Sequence, residues 1–190
     1  AGFGLQTVWS TFTPLAVQHD AVNLGQGFPD LPAADFVKTA ATDAIHTDAV
    51  NQYAPSRGRP SLLAELAADY TVDMQRVVVA EENVLVTLGA NQGIFAALQA
   101  FVDPGEAVLL VEPYFDIYKP AVQIVGGRVV TCRLHAQGDG WVFDFEEMER
   151  VIDGNKVKAI ILNSPHNPTG KVFTTKELLE LSRLCQKYDV

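Results

Sequence analysis

Residues 163 to 171 read Asn-Ser-Pro-His-Asn-Pro-Thr-Gly-Lys, directly after the apolar run Val157 to Leu162. An asparagine amide both donates and accepts, so Asn167 could hold a phenolic oxygen in either ionisation state, and the flanking prolines stiffen its loop. The bland meaning is a solvated turn, since Asn-Pro and Thr-Gly are common turn formers. His166 reads as a loop residue and not as a catalyst, because no carboxylate partner is marked in the sequence. A second cluster is Val84 to Gly93, where a strand, a turn at Gly89 and a helix start would gather free backbone N–H groups of Ala90 and Asn91 around one point. A phosphate would sit well there. Taken alone, the pattern is more often an ordinary β-to-α turn with Gly89 supplying backbone freedom.

Two further clusters are weaker. Glu112-Pro113-Tyr114-Phe115 follows a strand end, where Phe115 could lie on a planar ligand or simply pack in the core. Asn23 to Asp30 and Asn51-Gln52-Tyr53 offer Gly27, which would let backbone approach a ligand, and the Tyr53 hydroxyl, which could meet an anion.

These residues need elements to hold them. Residues 1 to 33 carry turn residues and little periodicity, and so read as an extended arm or lid. Helices are expected over Ala34 to Thr47, with Phe36, Val37, Ala40, Ala41, Ala44 and Ile45 at helical spacing, and over Pro60 to Tyr70. Beyond residue 84 strands and helices alternate. Strands are expected at Val84 to Leu88, Ala107 to Val111, Arg128 to Leu134 and Val157 to Leu162, with helices at Asn91 to Phe101, Asp144 to Ile152 and Thr174 to Tyr188, the last capped by Thr174 or Thr175. Such alternation implies a three-layer α/β/α fold around a mainly parallel sheet, with ligands at the carboxyl ends of its strands. The divisions expected are an arm with part of a small domain over 1–45, and an incomplete large domain over 46–190.

Composition fits an ordered globular chain: 48% hydrophobic and 19% charged residues over 190 positions. A net charge of -9, with 14 scattered Lys and Arg, leaves no basic stripe for nucleic acid. Cys132 and Cys185 have neither metal-ligand nor disulfide-framework spacing and read as reduced, packed thiols; no metal site is expected. The apolar runs are too short to span a bilayer, which points to a cytoplasmic protein, with mitochondrion or plastid open if a transit peptide preceded Ala1. Asp189-Val190 follows a helix as the opening of a further strand would, so the chain reads as the amino-terminal part of a larger domain.

Taken in order, Gly-Gln-Gly-Phe-Pro-Asp, Asn-Gln-Tyr, Gly-Ala-Asn, Glu-Pro-Tyr-Phe and Asn-Ser-Pro-His-Asn-Pro-Thr-Gly-Lys resemble class I aminotransferases of fold type I. The likeness is strongest to the kynurenine aminotransferase and cysteine-S-conjugate β-lyase branch, and it covers essentially the whole chain. It implies pyridoxal 5'-phosphate as cofactor, held by Gly89, Ala90, Asn91, Phe115 and Asn167, with Tyr53 reaching the phosphate of a neighbouring subunit in a homodimer. Asn91 stands where relatives often carry tyrosine, so its implied contact is through the backbone. Trp9, Gly27 and Asn167 would line the substrate pocket. The Schiff-base lysine, an aspartate on the pyridine nitrogen and a carboxylate-binding arginine belong, by the family order, beyond Val190, and Lys171 does not match the Schiff-base position.

The expected reaction is exchange of an amino group between an amino acid and a 2-oxo acid, with kynurenine-like, glutamine-like or aromatic substrates. The alternative is a non-catalytic truncated or split chain that binds cofactor or a partner, such as a companion carboxyl-terminal fragment. A regulator's sensor domain would need a basic linker or helix-turn-helix, and neither is present in the sequence.

Overall fold

The computed structural model describes residues 8–27 and 29–190. The first seven residues of the expected arm, and Phe28 of its Gly-Gln-Gly-Phe-Pro-Asp run, lie outside that description. Two compact units divide the chain, Ala1–Leu85 and Val86–Val190.

The first unit is helical: α1 (Val8–Gln18), α2 (Asp35–Ile45), a 3-10 turn (Asp48–Val50), α3 (Pro60–Asp73) and α4 (Ala80–Asn83). Helix α1 corrects the expectation of an extended arm. Trp9, Thr13 and Ala16 fall at i, i+4 and i+7 and form a partly buried face, a helical period that Pro14 conceals from a reading by turn residues. Pro60 opens α3, where its missing N–H costs nothing, and Leu63 and Ala67 are buried. Helix α2 forms as its apolar spacing demands, yet Phe36, Val37 and Ile45 on it are exposed.

The second unit carries the sheet. Its elements are α5 (Gly89–Phe101), β1 (Ala107–Glu112), α6 (Tyr118–Ile124), β2 (Arg128–Gln137), β3 (Gly140–Phe143), α7 (Phe145–Asn155), β4 (Val157–Ile161) and α8 (Thr175–Tyr188). The strand order is β3-β2-β1-β4, with β1 parallel to both β2 and β4 and only the short β3 antiparallel. Alternate residues of β1 serve opposite faces. Val108 and Leu110 meet Leu98 of α5 and Tyr118 and Val122 of α6, whereas Ala107, Leu109 and Val111 meet Met148 and Ile152 of α7 and Leu181 and Leu184 of α8. Both faces of the strand are therefore dry, which explains its unbroken apolar run, and the three expected layers are present. Burying each Val or Leu of β1 stabilises the fold by about 1.5–3 kcal/mol, so Leu110→Ala would break the unit at its centre, at a cost of about 2–5 kcal/mol.

One expected strand is absent. Val84 is extended, but residues 84–88 pair with no strand among the described residues, and the helix expected from Asn91 begins at Gly89. An apolar run supplies the burial tendency of a strand but not the neighbour whose N–H and C=O groups would complete its ladder.

Local chemistry sets the helix ends of the second unit. The Asp144 carboxylate accepts the Glu147 N–H at 2.9 Å and starts α7, while Thr174 and Glu177 form a reciprocal capping box on α8. Both thiols are free; burial above all, then the charges of Glu147 and Asp144, pushes Cys132 up to about 12, leaving it an inert packing group. Among the described residues no helix is long and apolar enough to cross a membrane.

Candidate active site at the carboxyl edge of the sheet

Because β1 and β4 run parallel, side by side, with Leu110 opposite Ile161, the loops that follow them leave the same edge. Those loops are Pro113 to Ile117 and Leu162 to Phe173. Helix α5 reaches that edge from the other direction: it packs on β1 through Leu98 and joins it by a five-residue turn, so it runs back along the strand. Thirteen helical residues span about 20 Å and six strand residues about the same, which brings the start of α5 level with the end of β1. Ile94, one turn into α5, packs in the same cluster as Tyr114 and Phe115.

At the start of α5, Gly89 has φ +75°, a conformation that side chains rarely adopt, and a Cβ there would meet no atom within 4 Å. The Leu88 N–H is taken by Gln92 Oε1 at 2.5 Å and the Gly89 N–H by the Thr87 carbonyl at 2.9 Å. Ala90 and Asn91, both exposed, have no backbone acceptor among the described residues, which leaves their N–H groups without a main-chain partner at the positive end of a thirteen-residue helix.

Phe115 is half-buried, its ring edge-on to Tyr118 at 6.0 Å between centroids. It is thus both a core residue and an aromatic surface at the strand end; the two readings of this residue are not exclusive. Asn167 is exposed, its N–H donates to Asn163 Oδ1 at 2.7 Å, and its side-chain amide has no hydrogen bond among the described residues. The loop carrying it is closed by two main-chain bonds, His166 N–H to the Lys171 carbonyl at 2.8 Å and Gly170 N–H to the His166 carbonyl at 2.7 Å. The peptide bonds before Pro165 and Pro168 are cis.

Two anchors of this loop escaped the sequence reading. His166 is only 3% exposed, with Nδ1 2.8 Å from Thr169 Oγ1; burial lowers its pKa, against a smaller opposing influence of the Val111 backbone. Lys171 is held by Glu177 at 2.8 Å, by the Trp141 carbonyl oxygen at 2.7 Å and over the Phe173 ring at 5.2 Å. The local signals were the spacing His-x-x-Thr and a lysine six residues before a capping glutamate, neither of which announces burial.

Trp9, Gly27 and Tyr53 belong to the first unit. Trp9 lies, half-buried, in a groove of about 480 Å3 that α1 forms with His19 and residues 21–25, and Thr13 on its lining donates to Gln26 Oε1 at 3.1 Å. Gly27 is exposed and outside that groove, and a Cβ on it would meet nothing within 4 Å, so no protein contact requires glycine there. The Tyr53 side chain is fully exposed.

A mainly parallel α/β sheet with two loops and a helix start at its carboxyl edge has the form in which open α/β folds bind ligands. The chain belongs to the family of class I and II aminotransferases, whose model matches residues 19–190. Kynurenine–oxoglutarate transaminase 3 of Rattus norvegicus is 40% identical over 192 residues, covering 97% of this chain and 42% of that protein. N-succinyldiaminopimelate aminotransferase of Mycobacterium tuberculosis superposes with a TM-score of 0.91 at 38% identity, over 98% of this chain and 48% of that one. YbdL of Escherichia coli, for which a methionine aminotransferase function is described, gives 0.88 at 29% identity, over 96% and 47%. The chain therefore spans less than half the length of these relatives.

Class I aminotransferases depend on pyridoxal 5'-phosphate, and the residues present fit that group. The N–H groups of Ala90 and Asn91, without a backbone acceptor among the described residues, suit a phosphate, and the Asn167 amide, without a partner among them, suits a phenolic oxygen.

Proposed function

We propose that the protein carrying this chain is a pyridoxal 5'-phosphate-dependent aminotransferase that exchanges an amino group between an amino acid and a 2-oxo acid. What supports this reading is that Ala90 and Asn91, with N–H groups lacking a backbone acceptor among the described residues, and Asn167, with an amide lacking a partner among them, belong to elements that end at the carboxyl edge of the sheet. Bound pyridoxal phosphate supplies an electron sink that lets an α-proton leave the amino acid. This chain's own residues do the holding. Gly89, by its left-handed backbone, turns the first-turn N–H groups of α5 toward the phosphate; Phe115 stacks on the pyridine ring and shields it from water; Asn167 hydrogen-bonds the phenolic oxygen and stands near the substrate carboxylate. Trp9 and Gly27 line the substrate pocket, and Tyr53 reaches the phosphate of the partner subunit in a homodimer.

The names of the kynurenine–oxoglutarate transaminases support kynurenine-like, glutamine-like or aromatic amino donors. We assign residues 1–45 to an arm and part of a small domain, 46–190 to the cofactor-binding large domain, and the protein to the cytoplasm. The Schiff-base lysine is not assigned to this chain, in keeping with the engagement of Lys171 by Glu177. The chain's span of only 42% and 48% of two relatives' length supports a second reading, in which the 190-residue chain by itself binds cofactor or a companion fragment without turnover.

One experiment separates the two. The protein is incubated with pyridoxal phosphate, assayed with kynurenine and 2-oxoglutarate, then reduced with borohydride and weighed. Transfer of the amino group with a phosphopyridoxyl adduct on the protein supports the aminotransferase; cofactor binding with neither transfer nor adduct supports the second reading.

A further inference from the structure

Among the described residues His166 is the sole buried polar side chain, and none of the roles assigned above uses it. It adjoins Asn167, yet the two face opposite ways, one 3% exposed and the other on the surface. Its ring contacts are all interior. Nδ1 lies 2.8 Å from Thr169 Oγ1, Phe173 stands edge-on at 6.2 Å between ring centroids, and the Val111 backbone at the end of β1 interacts with the imidazole. The Lys171 N–H donates to the same Thr169 oxygen at 3.3 Å. Burial favours the neutral imidazole, which pairs with the Thr169 hydroxyl in either tautomer.

The consequence is mechanical. The main chain of His166 closes the loop from both sides, accepting from Gly170 and donating to Lys171, and its side chain fixes the far limb through Thr169. Asn167 sits between those fixed points. Without the imidazole, the Thr169 hydroxyl loses that partner and the loop keeps its main-chain bonds and the contact of the Lys171 N–H with Thr169.

We propose that His166 is a positioning residue: its buried imidazole, hydrogen-bonded to Thr169 beside the end of β1, sets the place from which the Asn167 amide meets the cofactor ring. The inference rests on the reading of Asn167 as a cofactor contact. His166 touches neither substrate nor cofactor, and no acid–base role is assigned to it.

The test uses the full protein with pyridoxal phosphate and compares His166→Leu, His166→Asn, Asn167→Ala and the His166→Leu/Asn167→Ala double variant. Cofactor affinity and the cofactor's visible absorption band are measured, with thermal unfolding of the cofactor-free protein as a check on folding. His166→Leu is expected to weaken cofactor binding roughly three- to tenfold, as loss of one hydrogen bond would, and to move the band in the same direction as Asn167→Ala. His166→Asn keeps a hydrogen-bonding group near the Nδ1 position, able to donate or accept, and recovers most of both. The double variant binds no worse than Asn167→Ala alone, because His166 acts through Asn167. Additive losses, or an unmoved band in His166→Leu while Asn167→Ala moves it, overturn the inference and leave the site assignment standing. An unmoved band in Asn167→Ala overturns the site assignment and the inference with it. Should His166→Leu fail to fold, Thr169→Val removes the same hydrogen bond from the other side, and the same outcomes apply.

Discussion

Lys171 Nζ stands 2.8 Å from the Glu177 carboxylate, with 10% of the lysine side chain and 15% of the glutamate side chain exposed. The same ammonium donates to the Trp141 carbonyl oxygen, so one largely shielded charge ties the loop after β4 to β3 and to the first turn of α8. Burial, the largest influence on Glu177, pushes its pKa up; hydrogen bonds from Lys171 and Thr174, together with the lysine's charge, outweigh it and leave the group below the ordinary carboxylate range.

Removing one partner of such a pair leaves the other buried and uncompensated. Lys171→Ala is therefore expected to cost about 3 kcal/mol in urea unfolding at neutral pH. Lys171→Met with Glu177→Gln removes both charges, keeps the apolar stem over Phe173 and preserves the capping box, since glutamine also serves at the third helical position. That double variant should recover more than half of the loss. A single variant within about 0.5 kcal/mol of the parent, the range of ordinary surface substitutions, would show the pair to be inconsequential.

Gly127 lies where α6 turns into β2, and a Cβ on it would stand 2.9 Å from Val122 Cγ1 and 3.1 Å from the Val122 carbonyl oxygen. Val122 is fully buried and cannot give way. Gly127→Ala should cost about 1–3 kcal/mol by overpacking. Gly154, inside α7 with open space around its would-be Cβ, is the control: Gly154→Ala should be neutral or stabilising by up to about 1 kcal/mol. Chemical denaturation of the two variants side by side checks the contrast, and equal effects would refute it.

Much of this fold could be read from local pattern because burial and periodicity agreed. Ala107 to Val111 forms an unbroken apolar run since helices cover both its faces, Val157 to Leu162 is interrupted only by the exposed Lys158, and Thr174 was one of two caps expected for α8. Where local and distant causes part, the reading failed. Val84 to Leu88 has the composition of those strands, but a ladder needs a neighbour that composition does not name. Helix α6 was hidden by Pro120, which sits in its first turn, where proline is tolerated. The β2–β3 hairpin turns through Gly138 and Asp139, and that turn signal went unread beside an apparently simple parallel alternation. At the site, Asn167 and Phe115 stood out because their types suggest ligand contact. His166 did not: its burial depends on Val111, more than fifty residues earlier, and on Phe173 folding back over it.

Phe115 has two duties that substitution can separate. Phe115→Leu keeps apolar bulk against Tyr118 but loses the flat face, so the cofactor-free protein should stay within about 1.5 kcal/mol of the parent. Cofactor affinity should nevertheless fall about threefold to tenfold, the worth of an aromatic stack. Phe115→Ala should lower both. Cofactor titrations followed by absorbance, paired with thermal unfolding of the cofactor-free protein, separate the terms; unchanged affinity in Phe115→Leu would remove Phe115 from the site and leave it a core residue.

The buried imidazole of His166 also makes stability depend on pH in a defined direction. Burial holds its pKa below the ordinary 6.5, only partly opposed by the Val111 backbone, and no charged side chain is among the influences on it. The folded state therefore binds fewer protons than the unfolded chain over the interval between the lowered pKa and 6.5. Stability from the neutral ring is complete above 6.5 and is lost as pH falls through that interval toward the folded-state value. His166→Asn cannot titrate there, whereas every other ionisable group is common to both proteins and cancels in the comparison. The stability advantage of the parent over His166→Asn should accordingly be greatest at about pH 8 and shrink by about pH 5. Urea unfolding of both proteins across that range measures it. A constant difference would mean that His166 keeps an ordinary pKa in the folded protein, and a difference that grows on acidification would mean that the ring is protonated where it lies.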